Sequence, residues 1–375
     1  MKIVISPDSF KGTLTALEAA QAIEQGIKQV NQEIETILLP VADGGEGTMD
    51  ALVLATSGQY VKANVLDPLG REIEASFGVL GNKSTCVIEM ASASGITLLH
   101  NNERNPRKAS TYGTGQLIQI ALDQGFRDFI ICIGGSATND GGVGMLRALG
   151  LRLLDENGRG VQNSIDGLYE VKTLDFSNWD TRLNDSTIAI ACDVNNPLVG
   201  VNGATAVFGP QKGVKADEVE FFDQALTHWA NVVEVEKGIR LHDYQGAGAA
   251  GGMGGALIAF LDGKFHQGIE LVLDVMNYNE KIQDAELIIT GEGKSDSQTL
   301  HGKAPMGVLH CARQFEIPTI LISGSIDEQD EEILAQHFHK IISVVDQSIS
   351  TEMAMKEASK YLSQKAYQTI KNLID

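Results

Sequence analysis

The chain has 375 residues, 43% of them hydrophobic and 21% charged, which is enough for two hydrophobic cores in a globular protein. Its formal net charge of −20 excludes bulk attraction to nucleic acid or to an anionic membrane surface. Binding an anion would need local Lys, Arg, backbone N–H groups or a divalent cation to reverse that field.

The opening run MKIVISPDSF is too short in apolar residues for a signal peptide, and the stretch from Gly246 to Leu261 falls short of a membrane span. A cytoplasmic location is the expectation. The four cysteines (Cys86, Cys132, Cys192, Cys311) stand far apart, unlike a zinc set, and fit reduced core residues.

In chain order, residues 3–5 form an apolar run that leads through SPDSFKGT into a helix. Thr15 and Glu18 make a capping box there, and Leu17, Ala20, Ile23 and Ile27 form the apolar face. Residues 36–39 lead through ADGGEGT to a helix from about Met49. Residues 60–99 alternate apolar and polar around Asp67-Pro68-Leu69-Gly70, the pattern of an antiparallel hairpin. Residues 129–133 lead through GGSATNDGG into a helix carrying Met145, Leu146 and Leu149. A strand over 187–192 ends in ACDVNNPL. Residues 286–290 lead into GEGKSDSQTLHGKAP and a helix, and 319–323 and 341–345 are further strands.

Continuous apolar strands followed by loops and helices signify a parallel sheet covered on both faces, with ligand loops along one edge. The expected fold class is α/β: a parallel, Rossmann-like sheet domain with an inserted second, mixed α/β domain and the active site in the cleft between them. The discontinuous sheet domain is expected over residues 1–58, 101–150 and 284–375, and the inserted domain over 59–100 and 151–283. Four glycine-rich polar loops would then converge on one sheet edge.

Each loop has a plain structural reading beside its functional one. Asp8, Ser9 and Lys11 precede a helix N-terminus, a sound place to hold an anion, although Lys11 could simply be solvated. Asp43 and Glu46 suit Mg²⁺ or a hydroxyl-bearing substrate; Glu46 also fits the first turn of a helix. Gly134, Gly135, Ser136, Asn139 and Asp140 offer the ingredients of a phosphate nest, while Asn139 or Asp140 could equally cap the next helix. Asp193 is placed as a base or metal ligand with Asn195 beside it, an Asx-turn before Pro197 being nearly as good a reading. The last loop is the densest, with Glu292, Lys294, Asp296, Gln298, His301 and Lys303, a set able to hold Mg²⁺ and neutralise phosphate. No GxxxxGK[ST] sequence occurs, so no P-loop is expected. GAGAAGG (Gly246 to Gly252) contains a literal GxGxxG, but RLHDYQ before it is a poor buried strand, and the segment reads better as close-packed glycine.

SPDSFKGTLTA, LPVADGGEGT, IGGSATNDGG and TGEGKSDSQTLHGKAP, in this order over nearly the whole chain, resemble the bacterial type-1 glycerate kinase family. The resemblance implies ATP-dependent phosphorylation of D-glycerate with Mg²⁺, the product usually being 2-phosphoglycerate. ATP and D-glycerate are the implied partners, with no nucleic acid or membrane, and homo-oligomer formation stays open. The family's last motif usually reads GEGR, an aliphatic residue, then DSQT. Here Lys294 keeps the charge without the guanidinium fork, and Ser295 replaces a residue expected to pack beneath the loop.

On this reading Lys11, Asp193 and Asp296 are the candidate catalytic residues, either Asp serving as the base. Asp43, Glu46 and Asp296 are the candidate metal ligands. Asp8, Ser9, Gly134, Gly135, Ser136, Asn139, Asp140, Asn195, Lys294, Gln298 and Lys303 are candidates for substrate and phosphate. The rival readings are a nicotinamide-dependent hydroxy-acid dehydrogenase using GAGAAGG and a non-catalytic sugar-acid sensor.

Overall fold

A computed structural model describes residues 1–374, which divide into two compact units. The first comprises Met1–Asp43, Asp50–Thr56 and residues 267–374; the second comprises Gly44–Met49 and Ser57–His266.

The first unit is built on five parallel strands, in the spatial order Lys340–Ser343, Thr319–Ser323, Leu287–Gly291, Lys2–Pro7, Glu35–Leu38. In the three central strands side chains alternate between two buried faces, as the pleat requires, while the edge strands Glu35–Leu38 and Lys340–Ser343 are only partly buried. Ile3, Ile5, Ile289, Ile320 and Ile322 pack with the helices Ala16–Val30 and Ala358–Ile374. Leu321 faces the other way, toward Leu309 of the helix Ala304–Gln314 and toward Leu334 and Phe338. The capping box is present: the Thr15 side chain accepts from the Glu18 N–H, and Glu18 returns a bond to the Thr15 N–H. Continuous apolar runs marked strands buried on both faces at Lys2–Pro7, Leu287–Gly291 and Thr319–Ser323.

The second unit carries a six-stranded mixed sheet in the order Lys264–His266, Thr187–Ala191, Asp128–Cys132, Thr85–Glu89, Glu72–Val79, Gln59–Leu66. The first four are parallel and the last two form the expected hairpin. Its turn is closed by the Asp67 carboxylate, which accepts from the N–H groups of Leu69 (2.8 Å) and Arg71 (2.9 Å). Gly70, at φ 83°, supplies the left-handed residue the turn requires.

Two expectations are corrected. Residues 101–150 fold with the second unit, because Asp128–Cys132 pairs with Thr85–Glu89 and Thr187–Ala191 instead of joining the first sheet. Residues 267–283 belong to the first unit. The glycine-rich loops therefore leave two different sheets, and the single converging edge does not exist. An apolar run such as FIICI states that a strand is buried on both faces; it carries no label for its neighbours.

Candidate active site

In the first unit, three of the polar loops meet at the C-terminal ends of parallel strands and line a cavity of about 370 Å³. Asp8, Ser9 and Lys11 come from the loop after Lys2–Pro7, and Asp43 follows Glu35–Leu38. Lys294, Asp296 and Lys303 come from the loop after Leu287–Gly291. These are seven of the residues singled out in the sequence. Gly293 lets the loops close up: a Cβ there would stand 3.2 Å from the Lys11 nitrogen and 3.3 Å from the Phe10 Cα.

Charge is crowded in this pocket. Asp8 is buried, and its carboxyl is pushed up to about 7, first by burial and then by the neighbouring Asp43. A bond from the Ser9 N–H (2.6 Å) and the charge of Lys11 oppose the shift. Glu292 is buried as well and accepts from Ser295 Oγ (2.9 Å) and Thr299 Oγ1 (2.6 Å). Burial raises its carboxyl above the usual carboxylate range. The Lys303 ammonium stands 3.8 Å from Glu292 Oε2 and 3.7 Å from Asp296 Oδ1, bridging the two acids. Asp296 also caps the short helix Ser297–His301, its Oδ1 accepting from the Gln298 N–H at 3.0 Å. Gln298 itself is exposed and contributes that backbone N–H; it does not line the cavity.

The two departures in this loop are explained differently. Ser295 is fully buried, as the packing position demands, and its hydroxyl is satisfied by Glu292 and by Ser323 Oγ (2.6 Å). Lys294 is largely exposed and pairs with Asp327 at 3.4 Å. An exposed, flexible ion pair contributes little. Lys294→Arg is accordingly expected to leave kcat/KM within about threefold of the native value; a larger change in steady-state kinetics would show that the guanidinium fork matters here.

The remaining candidates lie in the second unit. Gly134 and Gly135 are partly accessible, but from Ser136 onward the loop turns inward, and Ala137 and Gly141 donate their N–H groups to the carbonyls of Ser94 and Gly251, both at 2.9 Å. Asp140 is buried and accepts from Thr111 N (2.9 Å), Thr111 Oγ1 (2.8 Å), Gly142 N (3.0 Å) and Gly144 N (3.1 Å). It thus organises the start of the helix Val143–Ala148, the plainer of its two readings. Burial raises its carboxyl against these four bonds. Asn139 donates from Nδ2 to Thr205 Oγ1 at 2.8 Å. Asp193 and Asn195 are exposed beyond the strand Thr187–Ala191, and Glu46 is exposed in the segment Gly44–Met49.

Lys212 belongs to no motif that stands out in the sequence. It ends the helix Ala204–Lys212, is almost wholly buried, and donates to Ser136 Oγ and to the Thr138 carbonyl, both at 2.7 Å. Burial pushes its amine down to about 7, with Asp140 opposing. The only local signals were a cation in the last helical turn and the left-handed Gly213 after it, common at any helix C-terminus.

GAGAAGG is close-packed backbone. A Cβ at Gly248 would lie 2.0 Å from the Pro197 carbonyl oxygen, and one at Gly251 would lie 2.2 Å from that of Thr138. No strand precedes it, so the dinucleotide reading has no structural support. The four cysteines are unpaired, with Cys86 and Cys132 buried. Among the described residues no helix is long and apolar enough to cross a membrane.

Parallel strands ending in loops that carry lysines and carboxylates around one cavity define an α/β enzyme acting on small anionic molecules. The chain belongs to the glycerate kinase family: a model described as Glycerate kinase family matches residues 3–374. It is similar to the glycerate kinase of Bacillus subtilis (strain 168), at 46% identity over 98% of this chain and 96% of that protein. It also matches the glycerate 2-kinase of Escherichia coli (strain K12), at 46% identity over 94% and 92% of the two chains. A crystal structure described as glycerate kinase 2 from Salmonella typhimurium LT2 superposes with a TM-score of 0.87 at 44% identity, covering 100% of this chain and 98% of that one.

Proposed function

We infer that this chain transfers the γ-phosphoryl group of ATP to a hydroxyl of D-glycerate, yielding a phosphoglycerate and ADP. The new bond joins the glycerate oxygen to the γ-phosphorus, the bond to the β–γ bridging oxygen breaks, and the hydroxyl proton passes to a carboxylate. The observation that carries this reading is the strand-end pocket of the first unit, where Lys11 and Lys303 stand among Asp8, Asp43, Glu292 and Asp296. Phosphoryl transfer needs placement and charge neutralisation more than covalent chemistry, and this residue set provides both.

Lys11 and Lys303 neutralise phosphate oxygens in this assignment, and Asp296 accepts the hydroxyl proton. Asp193 is the other acid with that role open to it, so Asp193→Asn set beside Asp296→Asn tests the choice. The pairing of Asp43 with Asp8, whose carboxyl is raised by burial and then by Asp43, fits a divalent cation. Among the described residues no group of three or more His, Cys, Asp or Glu is arranged to hold a metal alone. Asp8 and Asp43 would therefore hold Mg²⁺ together with nucleotide phosphates, the mode usual for that ion. Bound there, Mg²⁺ would neutralise charge on the transferring group. The 2-hydroxyl is the proposed acceptor, supported by the printed name of the Escherichia coli relative. A reducing, cytoplasmic setting is proposed from the unpaired cysteines.

A coupled assay of ADP release with D-glycerate and Mg-ATP should show turnover, and phosphorus NMR of the product should show 2-phosphoglycerate. No release with D-glycerate, beside turnover of another hydroxy acid, would overturn the substrate; a signal for 3-phosphoglycerate would overturn the position.

A further inference from the structure

The lining of the pocket in the first unit changes along the sheet, from loops after Lys2–Pro7, Glu35–Leu38 and Leu287–Gly291 to residues after the edge strand Lys340–Ser343, and this gives it two unlike ends. One carries the lysines and carboxylates described above. The other is walled by Val344, Val345, Ala354, Met355, Ala358 and Leu362, and no ionisable residue stands among them. Val344 and Val345 follow the strand Lys340–Ser343 and are fixed by N–H bonds to the carbonyls of Ser323 (2.8 Å) and Gly324 (3.0 Å). Ala354 and Met355 come from the helix Thr351–Lys356, and Ala358 and Leu362 share one face of the C-terminal helix. The connecting loop is pinned by Asp346, which accepts from the N–H groups of Ser348 (2.7 Å) and Ile349 (2.9 Å) and pairs with Lys365. The apolar wall is thus preformed, and Met355 is half exposed upon it.

Such a wall has no use for D-glycerate, whose three carbons each bear oxygen. Seating that acid on it would desolvate polar groups with no hydrogen bond in return. A nucleotide has the matching polarity, with a flat heteroaromatic ring at one end and a polyanionic tail at the other. Thioether side chains also make favourable contacts with aromatic rings. Resting on the kinase reading above, we propose that the apolar end of this pocket seats the purine ring of ATP, its phosphates directed toward Lys11 and Lys303. The nucleotide site then lies within the first unit, and few side-chain hydrogen bonds are available there to discriminate one purine from another.

The test is a calorimetric titration of ADP into the native protein, Ala358→Phe, which fills the apolar end, and Met355→Ala, a mild change on a half-exposed side chain. ADP affinity is expected to fall about tenfold or more in Ala358→Phe and a few-fold in Met355→Ala. Affinity for inorganic tripolyphosphate, which has no ring, should be the same in all three. In steady-state kinetics the KM for ATP should rise while the KM for D-glycerate stays within twofold. Native-like ADP affinity in both variants overturns the proposal. A native protein that binds ADP ring-dependently but turns over no D-glycerate leaves the proposal standing and removes the substrate instead.

Discussion

Asp296→Asn is expected to lower kcat/KM for D-glycerate by about 10²-fold or more, with the melting temperature nearly unchanged. The two parts of this result separate because Asp296 makes two separable contacts, one to the Gln298 N–H and one to Lys303. As the cap of the helix Ser297–His301 it accepts the Gln298 N–H through Oδ1. An asparagine carbonyl accepts that bond equally well, since Asn and Asp rank together at this position. As an anion beside Lys303 it can receive a proton from a hydroxyl, which the neutral amide cannot. If the loss falls in kcat with KM preserved, the carboxylate acts on the transition state. Near-native turnover in the folded variant would remove Asp296 from the chemistry and move the base to Asp193. Lys11→Ala, which withdraws the charge facing Asp8, is expected to lose a similar factor.

Much of the first unit could be read from the residues. Each strand there is a short apolar run with a polar loop after it, and in a parallel sheet that pattern places the loops at one edge. Hence Asp8, Ser9, Lys11, Asp43, Lys294, Asp296 and Lys303 stand out in the sequence and share a cavity. The hairpin about Asp67 was legible because its turn chemistry and two-residue period are both local. Three things were hidden, all of them tertiary. Strand partnership is set by crossovers, so residues 128–132 were placed in the wrong sheet. Asp140 has the residue type of a ligand and the surroundings of a cap, and only its four bonds decide between them. Glu292 was visible as one acid among several charges, while its burial under Ser295 and Thr299 depended on how the loop folds back.

Lys212→Met carries the other large expected effect, in the second unit. The substitution keeps an unbranched side chain of similar length and removes the amine alone. Ser136 Oγ and the Thr138 carbonyl then lose a 2.7 Å donor each, and the carbonyl is left buried and unpaired. The glycine-rich loop before Asn139 loses its anchor, and kcat/KM is expected to fall by about 10²-fold, reading the loop's placement as part of catalysis. Stability should report the same lysine with a definite sign. Its amine is pushed down to about 7 in the folded chain against an ordinary 10.5, so between those values the unfolded chain holds a proton that the folded chain does not. The native protein's stability relative to Lys212→Met should therefore rise from pH 7 toward pH 10 and run parallel below pH 7, where both states are charged. Urea unfolding of the two proteins at pH 6, 7, 8 and 9 measures that difference directly. A gap that stays constant over the series would mean that Lys212 is charged throughout. A folded Lys212→Met with native kinetics would make this lysine a packing element and nothing more.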